Sequence, residues 1–518
     1  MEKEYKQLAG NAGKTAFGTA LSRILGYIRD MLVANLFGAG IFADAFYAAF
    51  RIPNLFRRLL GEGSFSAAFI PVFSQYLHTK EKSETQKFLN AVFTALVLVL
   101  LVVSVMGMFF APLLVKIIAW GFTGDPEKMQ LTIELTRLMF PFVLFICLAA
   151  FLLAILNTLY SFFLPALAPS ALSVSEIGYM LALAPLLSSG NQIKGLAISV
   201  IAGGLFHFLI QYPNLKSLGW HLKFNFDLKH PGIKKIAFLM IPSLIGLSVD
   251  QINSFVDTIC ASFLASGSIT ALYYSNRVMQ MPLAIFGLAF ASVSLPAMSK
   301  AYAQKDMTTL KNSLNYSVRS TVFILLPAAA GLMVIGLPIV RLLFERGKFD
   351  SLASLMTNSA LFYYSLGLPA YAMAKIFANA FYAFQDTKTP VKTAVWSMTL
   401  HVVLCVLLMY PMGVGGLALS TALASYFNMF LLILYLRKRI GKLGLKKILF
   451  SAVKSLASAC AVGFAAWYAC KISDIVFISV PTAILAGIAA FFIVSKILKS
   501  EELDVVLHIF KRKTSKET

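Results

Sequence analysis

Arginine is costly inside a membrane, yet this chain carries several where lipid-spanning sequence should be apolar. The stretch DAFYAAFRIPNLFRRLLGEGSFSAAFIPVFSQY, Asp44 to Tyr76, holds Arg51, Arg57, Arg58 and Glu62. At 1.5 Å per residue, Arg57 lies roughly 20 Å along a helix begun at Asp44, near mid-membrane. A central arginine costs at least about 2.5–3.5 kcal/mol on insertion scales, so it must face protein, water or an anionic ligand. Arg51, Asn54, Arg58 and Glu62 fall on one helical face. An Arg58–Glu62 ion pair that merely orients helices would leave Arg51 and Arg57 unexplained. Gly61 and Gly63 loosen the helix beside these charges, as discontinuous membrane helices do at binding sites.

Further intramembrane charges point the same way. In SRILGYIRD, Arg23 and Asp30 are seven apart and share a face, whereas Arg29 points about 120° away. Asp250, Asn253 and Asp257 form a polar stripe in a later span, and the next span adds Arg277 with Gln280 one turn on. Counting Glu62, the arginines outnumber the carboxylates. A structural ion-pair network needs no excess, but a cavity built for an anion does, and the arginine fork binds phosphate bidentately. Arg137 and Glu134 at a span start, and Arg346 and Lys348 in a loop, fit snorkelling or solvation. Arg319, Lys375 and Glu176 lie within spans and can line a cavity or serve structure. His207 and His401 fit helix–helix hydrogen bonding. Asp257 is a weak candidate for a cation site, and no metal site stands out from the sequence. Asp44, Asp250, Asn253, Asp257 and Gln280 are candidates for coupling or gating.

The elements that must position these residues are membrane helices. Of 518 residues 58% are hydrophobic and only 13% charged, where a soluble protein of this size carries about 25% charge. The net charge of +22 does not mark a nucleic-acid partner, because most of it sits in short loops between apolar runs. The five cysteines fall in apolar segments without metal spacing. No Walker A, HExxH or GxSxG sequence occurs, so neither an ATPase nor a membrane hydrolase has visible machinery. No cofactor is implied, and no cleavable signal peptide is evident before the first span.

The apolar runs predict an all-α polytopic fold of about fourteen spans, the last two centred at 450–470 and 475–497. Loops rich in Lys alternate with loops nearly free of Lys and Arg, such as 38–44 and 121–128, which places both termini in the cytoplasm. A repeat at an offset of about 222–227 residues aligns RDMLVANLFGAG with VDTICASFLASG, SAAFIPVFSQY with ASVSLPAMSKAY, and Arg51 with Arg277 to within one residue. Each copy holds six spans, so the copies share one orientation. The expected organisation is an N-terminal lobe over 1–220, a C-terminal lobe over 221–440, a two-helix appendix over 441–500 and a tail over 501–518, with a central cationic cleft between the lobes.

SRILGYIRD, FGAGIFADAF, RIPNLFRRLLGEGSFSAAFIPVF and SFVDTICASFLASGSITALYYSNRVMQMPLAIFG resemble the MurJ (MviN-type) lipid II flippases, of the multidrug/oligosaccharidyl-lipid/polysaccharide exporter superfamily. The resemblance covers about residues 10–440 and continues into the two extra spans. It implies a transporter of undecaprenyl-diphosphate-linked GlcNAc–MurNAc-pentapeptide, working by alternating access in the bacterial cytoplasmic membrane. The family's cavity arginines map onto Arg23, Arg29, Arg57 with its neighbour Arg58, and Arg277, and its acidic positions onto Asp30, Asp44 and Glu62. Some members have a glutamate where this chain has Gln280. Residues 393–437 contain no carboxylate, which argues against a cation site there and leaves coupling to membrane potential or a monovalent cation open. Implied partners are lipid II, membrane lipids and cell-wall synthesis proteins. A different polyprenyl-diphosphate glycan would demand the same arginines. A cation-coupled drug exporter would have an acidic, aromatic cleft, and a non-transporting cell-wall scaffold would have no need of buried arginines.

Overall fold

In lipid every backbone polar group must be satisfied within its own segment, which favours helices throughout. The computed structural model describes the backbone of residues 2–58 and 63–503, and their side chains except at 2–14, 16, 189 and 242–250. Glu62, residues 504–518 and the side chain of Asp250 therefore lie outside the described residues. The helices are α1 (Glu2–Phe37), α2 (Ile41–Phe56), α3 (Ser64–Thr79), α4 (Lys82–Phe109), α5 (Ala111–Ile118), α6 (Pro126–Met139), α7 (Phe142–Thr158), α8 (Phe163–Leu167) and α9 (Ser170–Ala182). They continue with α10 (Ser189–Ser217), α11 (Pro231–Ser262), α12 (Ser268–Pro282), α13 (Leu288–Ala303), α14 (Met307–Phe344), α15 (Ser351–Ala383), α16 (Lys388–Ile440), α17 (Leu445–Cys470) and α18 (Val476–Ile497). No strand occurs among the described residues.

Among the described residues, seven helical stretches are long and apolar enough to cross a membrane, or eight when α6 and α7, bent by 40°, form one span. Helix α16 is 53 residues long, roughly 80 Å, far more than one crossing requires. It breaks at Gly413, where φ is +56°. Its arms fold back: Ser397 Oγ donates to Ala424 O at 2.6 Å, and Thr421 Oγ1 lies 3.3 Å from His401 Nε2. Residues 390–410 and 414–436, two separate apolar runs in the sequence, are these arms.

The chain divides into two compact units, Met1–Ile269 and Thr270–Thr518. The first is cored by α3, α4, α7, α10 and α11. Phe65, Phe69 and Phe73, four residues apart on α3, stack at 5.3 and 5.2 Å, and Phe151 of α7 meets Phe69 edge-on at 5.2 Å. The second unit is cored by α13, α14, α15 and α16, with Asn379 Nδ2 donating to Ala291 O at 2.7 Å inside it. Each unit contains the same irregularity. Helix α2 widens to π turns at Arg57 and Arg58 before α3, and α12 gives way to a π turn over Leu283–Gly287 before α13. The stretches that carry Arg51 and its repeat counterpart Arg277 thus both open beyond those arginines, and such turns recur at functional sites.

Helices α17 and α18 pack on α14, and the chain beyond α18 is clipped to the same helix. Arg319 donates from Nη2 to Glu501 at 2.6 Å and from Nε to Glu502 at 2.7 Å, and Ser451 Oγ donates to Glu502 at 2.8 Å. Arg319 is thereby committed to the end of α18 rather than to a cavity. Its hydrogen bond holds the Glu501 carboxyl below the usual glutamate range. A depressed folded-state pKa means the contact contributes fully above the unfolded value, about 4.3, and is lost as pH falls through the lower folded value. Protection of the Ser500–Leu503 amides, relative to their intrinsic exchange rates, is therefore expected to be high at neutral pH and to fall as the pH drops below the unfolded value, about 4.3. Arg319→Ala should leave little protection at either pH.

Candidate functional site

Several of the charged residues fall into three local constellations. On α1, Arg29 donates to Asp30 Oδ1 from Nη2 at 2.7 Å and from Nε at 3.0 Å. Its Nη1 lies 3.6 Å from Glu176 of α9. Asp30 and Glu176 are both buried. Helical spacing predicts that Arg29 points away from Asp30. That holds for the Cβ direction, but the long side chain folds back, so the sequence expectation is corrected here. Arg23 is exposed.

On α2, Arg51 is half-buried and reaches α11, donating from Nη1 to Ser254 Oγ at 3.0 Å and also to the Ser254 carbonyl. Six residues on, Arg57 is half-buried at the π turn, and its Nε donates to Asn54 Oδ1 at 2.8 Å. Asn54, one turn earlier on the same helix, thus fixes the angle at which the guanidinium leaves the backbone. Arg58 is exposed. The Arg58–Glu62 pairing weighed above lies outside the described residues. Asn253, Asp257 and Arg277 are each partly buried, and Gln280 is exposed and donates to Asn276.

The third constellation was not legible in the sequence. Asp44, buried near the start of α2, accepts from Lys128 Nζ at 2.9 Å and from the Gly267 amide at 2.7 Å. Lys128, of α6, is also buried, lies 3.4 Å from Ser266 Oγ and sits 4.2 Å over the Phe122 ring. One carboxylate therefore ties α2, α6 and the turn before α12 together. Gly267 has no substitute here: its φ is +95°, and a Cβ would lie 2.6 Å from Ala39 O. Beside it, Gly121 donates its amide to Ser262 Oγ at 2.9 Å, and a Cβ there would meet the Ser262 carbonyl at 2.3 Å. The available signal was Lys128 itself, a lone lysine in a loop otherwise nearly free of basic residues.

His207 also departs from expectation. Both its ring nitrogens are buried with no hydrogen-bond partner among the described residues, so it does not bridge helices. His401 does, through Thr421. Chemically, the first unit offers two half-buried guanidiniums on α2, about 120° apart around the helix, a third on α1 held by carboxylates, and an interhelical carboxylate–ammonium tie. Two arginines whose backbone positions are about 9 Å apart along one helix suit a ligand with extended anionic charge, and the α2–α11 and α2–α6 contacts make their position sensitive to helix movement.

The family model described as lipid II flippase MurJ matches residues 33–486. "Probable lipid II flippase MurJ" of Haemophilus influenzae is 36% identical over 463 residues, covering 87% of this chain and 90% of that protein. "Lipid II flippase MurJ" of Burkholderia cenocepacia is 37% identical over 425 residues, covering 81% and 82%. A solved structure of lipid II flippase MurJ in an inward closed conformation superposes with TM-score 0.79 at 30% identity, covering 93% of this chain and 98% of that one. An inward-facing multidrug resistance MATE transporter of the MOP superfamily superposes with TM-score 0.66 at 14% identity, covering 82% and 95%, and shares the fold.

Proposed function

This chain belongs to the lipid II flippase MurJ family, and on that premise we propose how its own residues act on the cargo. Its activity is transport rather than catalysis: lipid II, undecaprenyl diphosphate bearing GlcNAc–MurNAc-pentapeptide, moves from the inner to the outer leaflet for peptidoglycan synthesis. The diphosphate is the most concentrated charge on that molecule and the part that most resists entering the membrane. Arg57 and Arg51 meet it with charge-assisted hydrogen bonds, which are about twice as strong as neutral ones. Arg29 adds a third guanidinium on α1, and Arg277, the repeat counterpart of Arg51, is the arginine that the second unit contributes to the proposal. The observation that carries this reading is a half-buried Arg57 at a π turn, aimed by Asn54.

Transport requires the site to face each side in turn, by alternating access. Asp44, Lys128 and Gly267 supply a tie that a helix movement can make or break as a unit. The Lys-rich loops support a cytoplasmic side for both termini, and on that reading the Asp44 tie lies on the outer side. A surplus of arginine in the moving part couples transport to membrane potential, at about 2.3 kcal/mol per charge per 100 mV. A direct test compares binding of the purified full chain to lipid II and to undecaprenyl monophosphate. Lipid II should bind more tightly, and Arg57→Ala should erase most of the difference. Equal affinity for the two lipids would refute the diphosphate site.

A further inference from the structure

The connection from α10 to α11 is held in an unusual way. Residues 220–226 are extended and run along α4. The amides of His221, Lys223 and Asn225 donate to Gln86 Oε1 at 3.2 Å, Asn90 Oδ1 at 3.1 Å and Thr94 Oγ1 at 2.8 Å. Four residues of helix rise about 6 Å, and two residues of strand rise about 6.7 Å. The near-match lets one helix face serve alternate amides of an extended chain. Polar residues four apart on a membrane helix thus act as the partner strand.

This ladder satisfies only one edge. The amides of Leu222, Phe224 and Phe226 point to the other, and none has a protein acceptor among the described residues. The ladder starts near Lys82 and Lys87 and ends at Thr94, roughly 18 Å along α4 from Lys82. Directly beyond it begins the exposed apolar surface of α4 at Leu98, Val99 and Leu101. The segment therefore descends from the lysine level to the edge of the apolar zone. Phe224 and Phe226 are 63% and 70% exposed there and stack on each other at 6.3 Å. Lys223 and Lys229 flank them, exposed.

We propose that this outer edge is a binding site for an anionic phospholipid of the leaflet on the lysine side. The phosphate accepts from the outward amides and from Lys223 and Lys229, and the phenyl pair sits among the first acyl carbons. Open backbone edges are not tolerated in hydrocarbon, so the edge lies at the headgroup level, where phosphate oxygens are the abundant acceptors. Charge selects the lipid: two lysines stand beside the edge against the single carboxylate of Asp227. The site is separate from the diphosphate site, and its failure would leave the transport reading standing.

The test places a Phe226→Trp reporter in the full chain in nanodiscs, with the unsubstituted chain giving the background of the four native tryptophans. Bromine-labelled acyl chains are supplied either on phosphatidylglycerol or on phosphatidylcholine. Reporter emission should be quenched at a lower mole fraction of the phosphatidylglycerol. Lys223→Ala and Lys229→Ala should each raise its half-quenching fraction about fivefold, leaving the phosphatidylcholine curve in place. No quenching by either lipid would show a segment standing in water and overturn the proposal. Equal quenching by both, unmoved by the lysine variants, would overturn the anionic site.

Discussion

Arg57→Ala is expected to leave the protein folded and inserted while cutting lipid II binding and transport below the level that sustains growth. The guanidinium is half-buried, so its removal opens little core. What disappears is a charge-assisted contact to a diphosphate in a poorly hydrated site, worth about 2–5 kcal/mol when one partner is deleted. That corresponds to roughly 30-fold to several thousand-fold in affinity. Arg57→Lys keeps the charge but not the fork, and should recover only part of the loss. Arg58→Ala, at the exposed neighbour, should cost far less. Asn54→Ala tests aim separately from charge: it removes the acceptor that orients Arg57 Nε and should weaken binding by a factor intermediate between the two. Complementation of a depleted strain, with membrane abundance measured in parallel, separates these outcomes from misfolding.

The second large effect is expected at Asp44. Deleting one member of a buried, hydrogen-bonded ion pair costs about 3–5 kcal/mol, because the remaining charge is stranded. Asp44→Ala strands the Lys128 ammonium, which is 5% exposed, and removes the acceptor of the Gly267 amide. It should therefore sharply lower the melting temperature of the detergent-purified chain. Asp44→Leu combined with Lys128→Met should be markedly more stable than Asp44→Ala alone, since no charge is left buried. A double-mutant cycle over these positions should yield a coupling energy of 0.5–3 kcal/mol or more. Yet the stabilised double variant should still fail to transport, because a tie that cannot be remade at a charge pair no longer distinguishes the two states. Normal transport by that variant would remove the tie from the mechanism.

The sequence disclosed what depends on one segment at a time. Arg51 and Arg57 announce themselves as charges in an apolar run. The apolar runs at 390–410 and 414–436 read as two segments, and the structure parts them at Gly413. Gly61 and Gly63 mark a loosening beside Arg57 and Arg58, whereas the matching π turn at Leu283–Gly287 carries no such glycine pair and was not read from the sequence. What depends on long-range pairing stayed hidden. Lys128 lies 84 residues from Asp44 and reads as an ordinary loop lysine until the fold buries it. Ser254 carries no mark of its role as acceptor for Arg51. Arg319 looked available to line a cavity because the two glutamates that engage it follow more than 180 residues later. Arg29 shows a different limit: helical geometry fixes where Cβ points, not where a flexible guanidinium ends. The α4 ladder was invisible because Gln86, Asn90 and Thr94 are isolated polar residues until an extended chain lies across them.

The central claim is that this chain moves lipid II outward through its intramembrane arginines. The most direct measurement depletes it in its own bacterium and scores lipid II head groups accessible from outside the cytoplasmic membrane. The expected result is loss of outward head groups, restored by the unsubstituted chain but by neither Arg57→Ala nor Arg277→Ala. Outward head groups at their normal level after depletion, or full restoration by both variants, would contradict it.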